Sequence, residues 1–288
     1  MRVAVVGLGG VGGYIAAKFA NAGIDVVGFA RGKHLEIIQS QGIKIIEDDS
    51  TWSVKIDTRE EGDLDGYFEG SFDVVLFCVK SYDLVASFEQ IKSHIDTNST
   101  LISFSNGVSN GDTLRKLSNS RVLDGSIYIL SHIQNAGVIR KKGKVFAAVF
   151  GGDKEGTLNL SALFEKAQLR FKTPSDIKSA IWKKYIFISA FATLSSYYVN
   201  SIGYIYEFHK DEAEELLQEI ALFAKKQGVN IDSEVKKSLE VASSVPYDSL
   251  PSMALDFKNK KRVELESLSG FVKMPLMQRL YEELKKRV

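Results

Sequence analysis

The sequence predicts an α/β chain in two parts: a domain of alternating strands and helices over residues 1–172, then an all-helical domain over residues 173–288. Three observations carry that expectation. The chain opens on the apolar run Val3-Ala4-Val5-Val6, turns through Gly7-Leu8-Gly9-Gly10-Val11-Gly12, and continues as a helical pattern through Tyr14 to Ala20, ending at Gly23. Short apolar runs then alternate with helical or turn-rich segments, as in a mostly parallel sheet with helices on its faces. From about Pro174 onward the period is helical.

The first element has a chemical reading. A strand that runs straight into G-x-G-x-x-G and a helix is the dinucleotide-binding turn of a Rossmann-type domain. Gly7 permits the tight turn, Gly9 lets the backbone approach a pyrophosphate, and Gly12 lets the helix pack against the strand. The backbone N–H groups of Gly7, Leu8, Gly9, Gly10, Val11 and Gly12 then form the phosphate cradle at a helix N-terminus.

The second strand, Ile24 to Ala30, should name the dinucleotide. An NAD enzyme places a carboxylate at its end for the ribose 2′-OH, and here Arg31 stands there, with Lys33 and His34 adding positive charge. A guanidinium fork suits a phosphate, so the expected cofactor is NADP. Asp25 lies too early in the strand to reach the ribose. The other reading of Arg31 is a solvated loop cation.

Further strands are expected at residues 42–46, 52–56, 72–79, 101–104 and 121–123. Residues 137–140 and 144–151 read as an antiparallel pair around Lys141-Lys142-Gly143, after which the strands stop. In the helical half, Asp211 to Gly228 places Ala213, Leu216, Leu217, Ile220 and Ala221 on one face, with acidic residues at the start and Lys225 and Lys226 at the end. Pro246 and Pro251 bound a loop before the last helices.

Composition excludes several classes. At 288 residues, two domains can each bury a core without staples. A net charge of +1 argues against a nucleic-acid partner. The single cysteine, Cys78, sits in an apolar run and reads as a buried, inert thiol. Four scattered histidines, His34, His94, His132 and His209, suggest no metal. No apolar stretch has the length of a membrane span, and the first strand starts at once, so the expectation is a soluble, cytoplasmic protein.

Substrate chemistry is expected in a cleft beyond the C-terminal strand ends. Val79-Lys80-Ser81 and Ser105-Asn106-Gly107 each follow an apolar strand abruptly, although Asn106-Gly107 also reads as an ordinary turn and Lys80 as a solvated cation. In the helical half, Lys184 shares a stripe with Ala180, Ile181, Ile188 and Ala192. That environment would lower its pKa toward the range useful for proton transfer, unless the ammonium snorkels to solvent.

Together, Gly7 to Gly12, Arg31, Val79-Lys80, Asn106-Gly107, Trp182-Lys183-Lys184, Ser252 to Asp256 and Glu264 resemble the ketopantoate reductase family in order and spacing over nearly the whole chain. The resemblance implies NADPH-dependent reduction of 2-dehydropantoate to pantoate, a step toward pantothenate and coenzyme A. It makes Lys184 the general acid and Glu264 the residue that holds cofactor and substrate hydroxyls. Asn106 would contact nicotinamide ribose and substrate, Lys80 the cofactor, and Ser252 the substrate carboxylate. Where the family carries substrate-holding asparagines, this chain has Ile188, Ala192, Ile202 and Ser249. The substrate is then either held by other groups, such as Ser189, Ser195 or Ser196, or is a different, more apolar 2-keto acid.

Two other readings share the first domain: another NADP-linked hydroxyacid dehydrogenase, or a non-catalytic NADP-binding sensor. The partner expected throughout is a small 2-keto acid; the resemblance also admits a homodimer.

Overall fold

The computed structural model describes residues 1–60, 62–64 and 69–288. They form two compact units, 1–105 with 109–177 and 106–108 with 178–288.

The first unit contains β1 (Arg2–Val6), α1 (Gly10–Asn21), β2 (Asp25–Phe29), α2 (Gly32–Gln41), β3 (Ile43–Ile46), β4 (Thr51–Val54) and β5 (Asp57–Arg59). It continues through β6 (Val74–Phe77), α3 (Leu84–Ile91), β7 (Thr100–Ser103), α4 (Asn110–Leu117), β8 (Arg121–Asn135), β9 (Val138–Gly152), α5 (Lys154–Lys166) and β10 (Phe171–Lys172). Among the described residues, the strands form one sheet in the order β4-β3-β9-β8-β7-β6-β1-β2-β5, with β10 paired to β9. β1 lies between β2 and β6, parallel to both.

The period of β1 explains how both sheet faces are filled. Val3 and Val5 join one core with Ile15, Phe19 and Phe164, whereas Ala4 and Val6 join another with Phe29, Phe77 and Phe88. Successive side chains point to opposite faces, so a continuously apolar strand is covered by helices on both sides. The order reverses at β1, where chain connections leave in opposite directions, and Gly7 to Gly12 follow it there.

The expected turn at Lys141-Lys142-Gly143 is instead an irregularity inside β9. β8 and β9 form a long antiparallel ribbon whose register passes from Ile129 opposite Phe146 to Ser131 opposite Lys141, so residues 142–145 bulge out. Gly143 has φ +66°, so the turn chemistry is present, but it bulges a strand rather than ending one. The reversal comes at Ala136-Gly137. β10 also extends the strand pattern beyond its expected end, through a two-residue parallel pairing with β9.

The second unit is helical: α6 (Ile177–Tyr198, whose first residue belongs to the first unit), α7 (Ile202–Phe208), α8 (Lys210–Lys226), α9 (Ser233–Ser244), α10 (Ser252–Lys258) and α11 (Pro275–Lys285). A π-helical turn, Glu266–Gly270, precedes α11. All five apolar residues expected on the inner face of α8 are buried. The Glu219 carboxylate on α8 accepts the Leu276 and Met277 N–H groups, each at 2.9 Å, which caps α11 where Pro275 supplies no donor. Val108 packs against the same core, which ties the short segment 106–108 to this unit.

Candidate active site

The glycine turn is shaped by close approach. Gly7 has φ +91°, and its N–H and that of Leu8 donate to the Phe29 carbonyl at 3.0 and 3.1 Å, joining the turn to the end of β2. A Cβ at Gly12 would overlap the Gly7 carbonyl and come within 2.7 Å of the Cys78 Cβ, so α1 packs as tightly as a helix can on the strand ends. A Cβ on Gly10 would meet the Ser131 carbonyl at 2.5 Å. Gly9 differs: nothing lies within 4 Å of an added Cβ. Gly9 is also the N-cap of α1, and no side chain caps that helix. The first-turn N–H groups and the open space at Gly9 therefore fit a diphosphate. Val11 packs on the core and offers only its backbone N–H, whereas Leu8 is buried under Gly28 with its N–H and carbonyl engaged by Phe29 and His34; the Gly7 and Leu8 N–H groups, expected in the cradle, are spent on holding the turn to β2.

Arg31 is exposed at the N-cap position of α2, its guanidinium 3.5 Å from the Asp83 carboxylate. Asp25 is engaged by Arg2 at 2.8 Å at the far end of β2. His34 does not add the positive charge expected of it. Its Nδ1 accepts the Gly137 N–H at 3.0 Å, which leaves Nε2 to donate to the Leu8 carbonyl at 2.9 Å. The ring in that arrangement is neutral and serves as a strut between the glycine turn and the β8–β9 reversal. Burial pushes the Cys78 thiol up to about 12, which keeps it un-ionised.

Lys80 is half-buried three residues past the end of β6, which stops at Phe77 rather than at the expected Val79. Ser105 Oγ donates to the Val79 carbonyl at 2.6 Å and accepts from Ser103 Oγ at 3.0 Å, while the Asn110 amide donates to the Ser105 carbonyl at 3.0 Å. These bonds fix the ends of β6 and β7, from which Lys80 and Asn106 follow. Ser105 stands in the polar strand-end segment that the sequence singles out, but its clamp with Ser103 is not legible there, since short hydroxyl side chains look like ordinary turn formers. Gly107 has φ +125°, a conformation open in practice only to glycine.

Within the helical unit, Lys184 and Glu264 act on each other. Lys184 is half-buried on α6, and Glu264 is 3% exposed. Burial pushes the Lys184 pKa down to about 8, against the opposing pull of the Glu264 carboxylate. Two adjacent stripes of α6 divide the work. One is Lys184, Ile188 and Ala192; the other is Tyr185, Ser189 and Thr193. The π-turn after Glu264 leaves carbonyls out of the usual helical ladder. The Tyr185 hydroxyl donates to the Ser267 and Leu268 carbonyls at 3.1 and 2.9 Å, and Ser189 Oγ donates to the Leu268 carbonyl at 2.6 Å. Thr193 Oγ1 and Ser269 Oγ lie 2.7 Å apart. Ser189 is therefore spent on the backbone rather than left for substrate.

Ile188 is half-buried and Ala192 fully buried, and Ile202 packs in the core while its N–H donates to the Ser249 carbonyl at 2.8 Å. None of these side chains supplies an amide. Ser252 is exposed as the first residue of α10. Among the described residues no group of three His, Cys, Asp or Glu could hold a metal ion, and no helix is long and apolar enough to cross a membrane.

Both parts of the chain match a known family. The family model described as ketopantoate reductase PanE/ApbA matches residues 3–152, and its C-terminal counterpart matches residues 176–285. The chain belongs to the ketopantoate reductase family. It is 31% identical to an "uncharacterized oxidoreductase YkpB" of Bacillus subtilis, over 94% of this chain and 91% of that one. It is 26% identical to a 2-dehydropantoate 2-reductase of Mesorhizobium japonicum, over 94% and 90%. A crystal structure of a PanE/ApbA family ketopantoate reductase from Ralstonia eutropha JMP134 superposes with a TM-score of 0.90 at 26% identity, covering 100% of this chain and 98% of that one. The chain is thus a nicotinamide-dependent oxidoreductase with a Rossmann-type domain and a helical domain.

Proposed function

We propose that the protein reduces 2-dehydropantoate, or a related 2-keto acid, to the 2-hydroxy acid with NADPH, as a cytoplasmic enzyme on the way to pantothenate and coenzyme A. Lys184 is the observation that carries this reading: an ammonium with its pKa lowered to about 8 beside a buried carboxylate. An amine with that pKa holds its proton at neutral pH and releases it readily to a developing alkoxide.

Reduced nicotinamide, when bound, supplies the hydride that the keto carbon accepts. The protein's own residues do the rest. The N–H groups at the start of α1, from Gly9 to Gly12, hold the diphosphate, and Arg31 reads the 2′-phosphate, exchanging its ion pair with Asp83 for the stronger charge. Lys80 and Asn106 hold the cofactor at the strand ends, with Asn106 also reaching the substrate. Ser252 binds the substrate carboxylate. Lys184 stabilises the negative oxygen and then transfers its proton to it, while Glu264 keeps the lysine protonated beforehand and holds the cofactor and substrate hydroxyls.

The half-buried Ile188, where the family carries an asparagine, favours a substrate whose body is more apolar than pantoate. NADPH consumption measured with 2-dehydropantoate and a panel of branched 2-keto acids tests the proposal. Turnover that requires Lys184 supports it, and equal turnover by Lys184→Ala rejects it.

A further inference from the structure

Two residues after Glu264 the chain winds into the π-helical turn Glu266–Gly270, and α6 grips that turn from the residue next to Lys184. Turns of this kind are rare and recur at functional sites.

The grip is made by two buried hydroxyls. Tyr185 is 2% exposed and Ser189 0%, and both donate to one atom, the Leu268 carbonyl oxygen, at 2.9 and 2.6 Å. Tyr185 reaches the Ser267 carbonyl as well, at 3.1 Å. A carbonyl oxygen has two lone pairs, so α6 alone saturates Leu268. Side chains buried this deeply act on chemistry only through what they hold.

What they hold leads directly to Glu264. The Leu268 N–H donates to the Glu264 carbonyl at 3.1 Å, and Ser267 Oγ donates to the same atom at 3.2 Å. The path from the Tyr185 hydroxyl to the Glu264 backbone therefore crosses a single residue. On the far side α11 braces the turn: the Tyr281 hydroxyl donates to the Glu266 carboxylate at 2.5 Å, and Lys273 and Lys285 lie over the Tyr281 ring, 5.6 and 5.5 Å from its centre. Glu266 and these two lysines are thus grouped around Tyr281, and Glu264 is the carboxylate whose charge raises the Lys184 pKa. A slip of the turn to α-helical spacing would rotate Glu264 by about 100° relative to the residues after it.

We propose that Tyr185 and Ser189 are positioning residues of the reductase: by holding the Ser267 and Leu268 carbonyls they keep the turn π-helical and hold Glu264 where its charge acts on Lys184. The proposal rests on the reading of Lys184 as the proton donor. Each hydroxyl directly follows a residue of the Lys184 stripe, Lys184 itself or Ile188, so one face of α6 serves the reaction and the adjacent face serves its support.

The test uses the Tyr185→Phe, Ser189→Ala double variant, with and without Glu264→Gln. Tyr185→Phe keeps the ring packed on Trp182 and Phe271, at 5.3 and 6.4 Å between centroids, and removes the hydroxyl alone. Two quantities are read: the alkaline limb of kcat/KM for keto-acid reduction, and the Lys184 pKa from an NMR titration of the full chain with isotope-labelled lysine side chains. The Lys184 signal is identified by its loss in Lys184→Met. A loosened Glu264 supports the ammonium less, so the double variant is expected to move both downward by about half a pH unit or more. With Glu264→Gln in place, the same two changes are expected to move neither. A folded double variant whose Lys184 pKa stays at the wild-type value overturns the proposal. So does a shift of equal size with and without Glu264, which would mean that the hydroxyls act on Lys184 by packing alone. If the double variant fails to fold, the same comparison in Tyr185→Phe decides. The titration needs no turnover, so failure to reduce any keto acid would count against the proton-donor reading while the grip on Glu264 is still judged by the Lys184 pKa.

Discussion

The charge of the Glu264 carboxylate acts on the Lys184 ammonium, and burial and charge pull that lysine in opposite directions: burial takes its pKa down to about 8, and the carboxylate keeps it from falling further. The pair explains why an otherwise apolar stretch of helix tolerates a lysine. It also fixes the sign of several measurable effects.

Reduction needs the ammonium form. The rate of keto-acid reduction is therefore expected to be high below about pH 8 and to fall about tenfold per pH unit above it. Glu264→Gln removes the opposing carboxylate, so the alkaline limb should move to lower pH; a pH–rate profile of kcat/KM checks it. A limb that stays in place would separate Glu264 from the titration of Lys184.

Stability should move the other way. The folded pKa lies below the value of about 10.4 for an unfolded lysine, so between about 8 and 10.4 the unfolded chain binds more protons and Lys184 makes the fold more stable as pH rises. Below about 8 its buried charge opposes folding in full. Lys184→Met should therefore change the melting temperature by an amount that varies across this window and levels off below it, which thermal melts at pH 7, 8, 9 and 10 would read.

Gly9 and Gly12 should fail differently. Ala at 12 overlaps the Gly7 carbonyl and should destabilise the fold by about 1–3 kcal/mol. Ala at 9 meets nothing within 4 Å and sits at φ −68°, so the melting temperature should hold while dinucleotide affinity drops. Melting curves and cofactor titrations on the two variants separate packing from binding. Loss of stability in Gly9→Ala would count against an open cradle there.

Arg31→Ala should weaken NADPH by tenfold or more and leave NADH nearly unchanged, since the guanidinium's proposed partner is the 2′-phosphate alone. Equal weakening of both, by fluorescence titration, would show that Arg31 does not read that phosphate.

What was legible in the sequence was what neighbouring residues decide. The alternation of Val3, Ala4, Val5 and Val6 across the sheet, the glycine turn and the inner face of α8 are all set within a few residues. The long β8–β9 ribbon was not legible, because Lys142-Gly143 carries the chemistry of a turn and only pairing with β8 shows that it bulges instead. Phe171–Lys172 is too short to signal a strand before β9 is in place. In the candidate site, the period of α6 exposed the odd placement of Lys184. The use of Ser189 could not be foreseen, since it depends on a π-turn far along the chain leaving the Leu268 carbonyl to be satisfied. His34 likewise read as a cation until the Gly137 N–H was found to occupy its Nδ1.

The central claim is that Lys184 protonates a keto acid reduced by NADPH. Single-turnover oxidation of bound NADPH by 2-dehydropantoate and by branched 2-keto acids, in the wild type and in Lys184→Ala, tests it most directly. The account predicts rapid oxidation with at least one of these acids and a loss of about 100-fold or more in the variant. Oxidation at the same rate in both proteins, or tight NADPH binding with no oxidation by any of the acids, would contradict it.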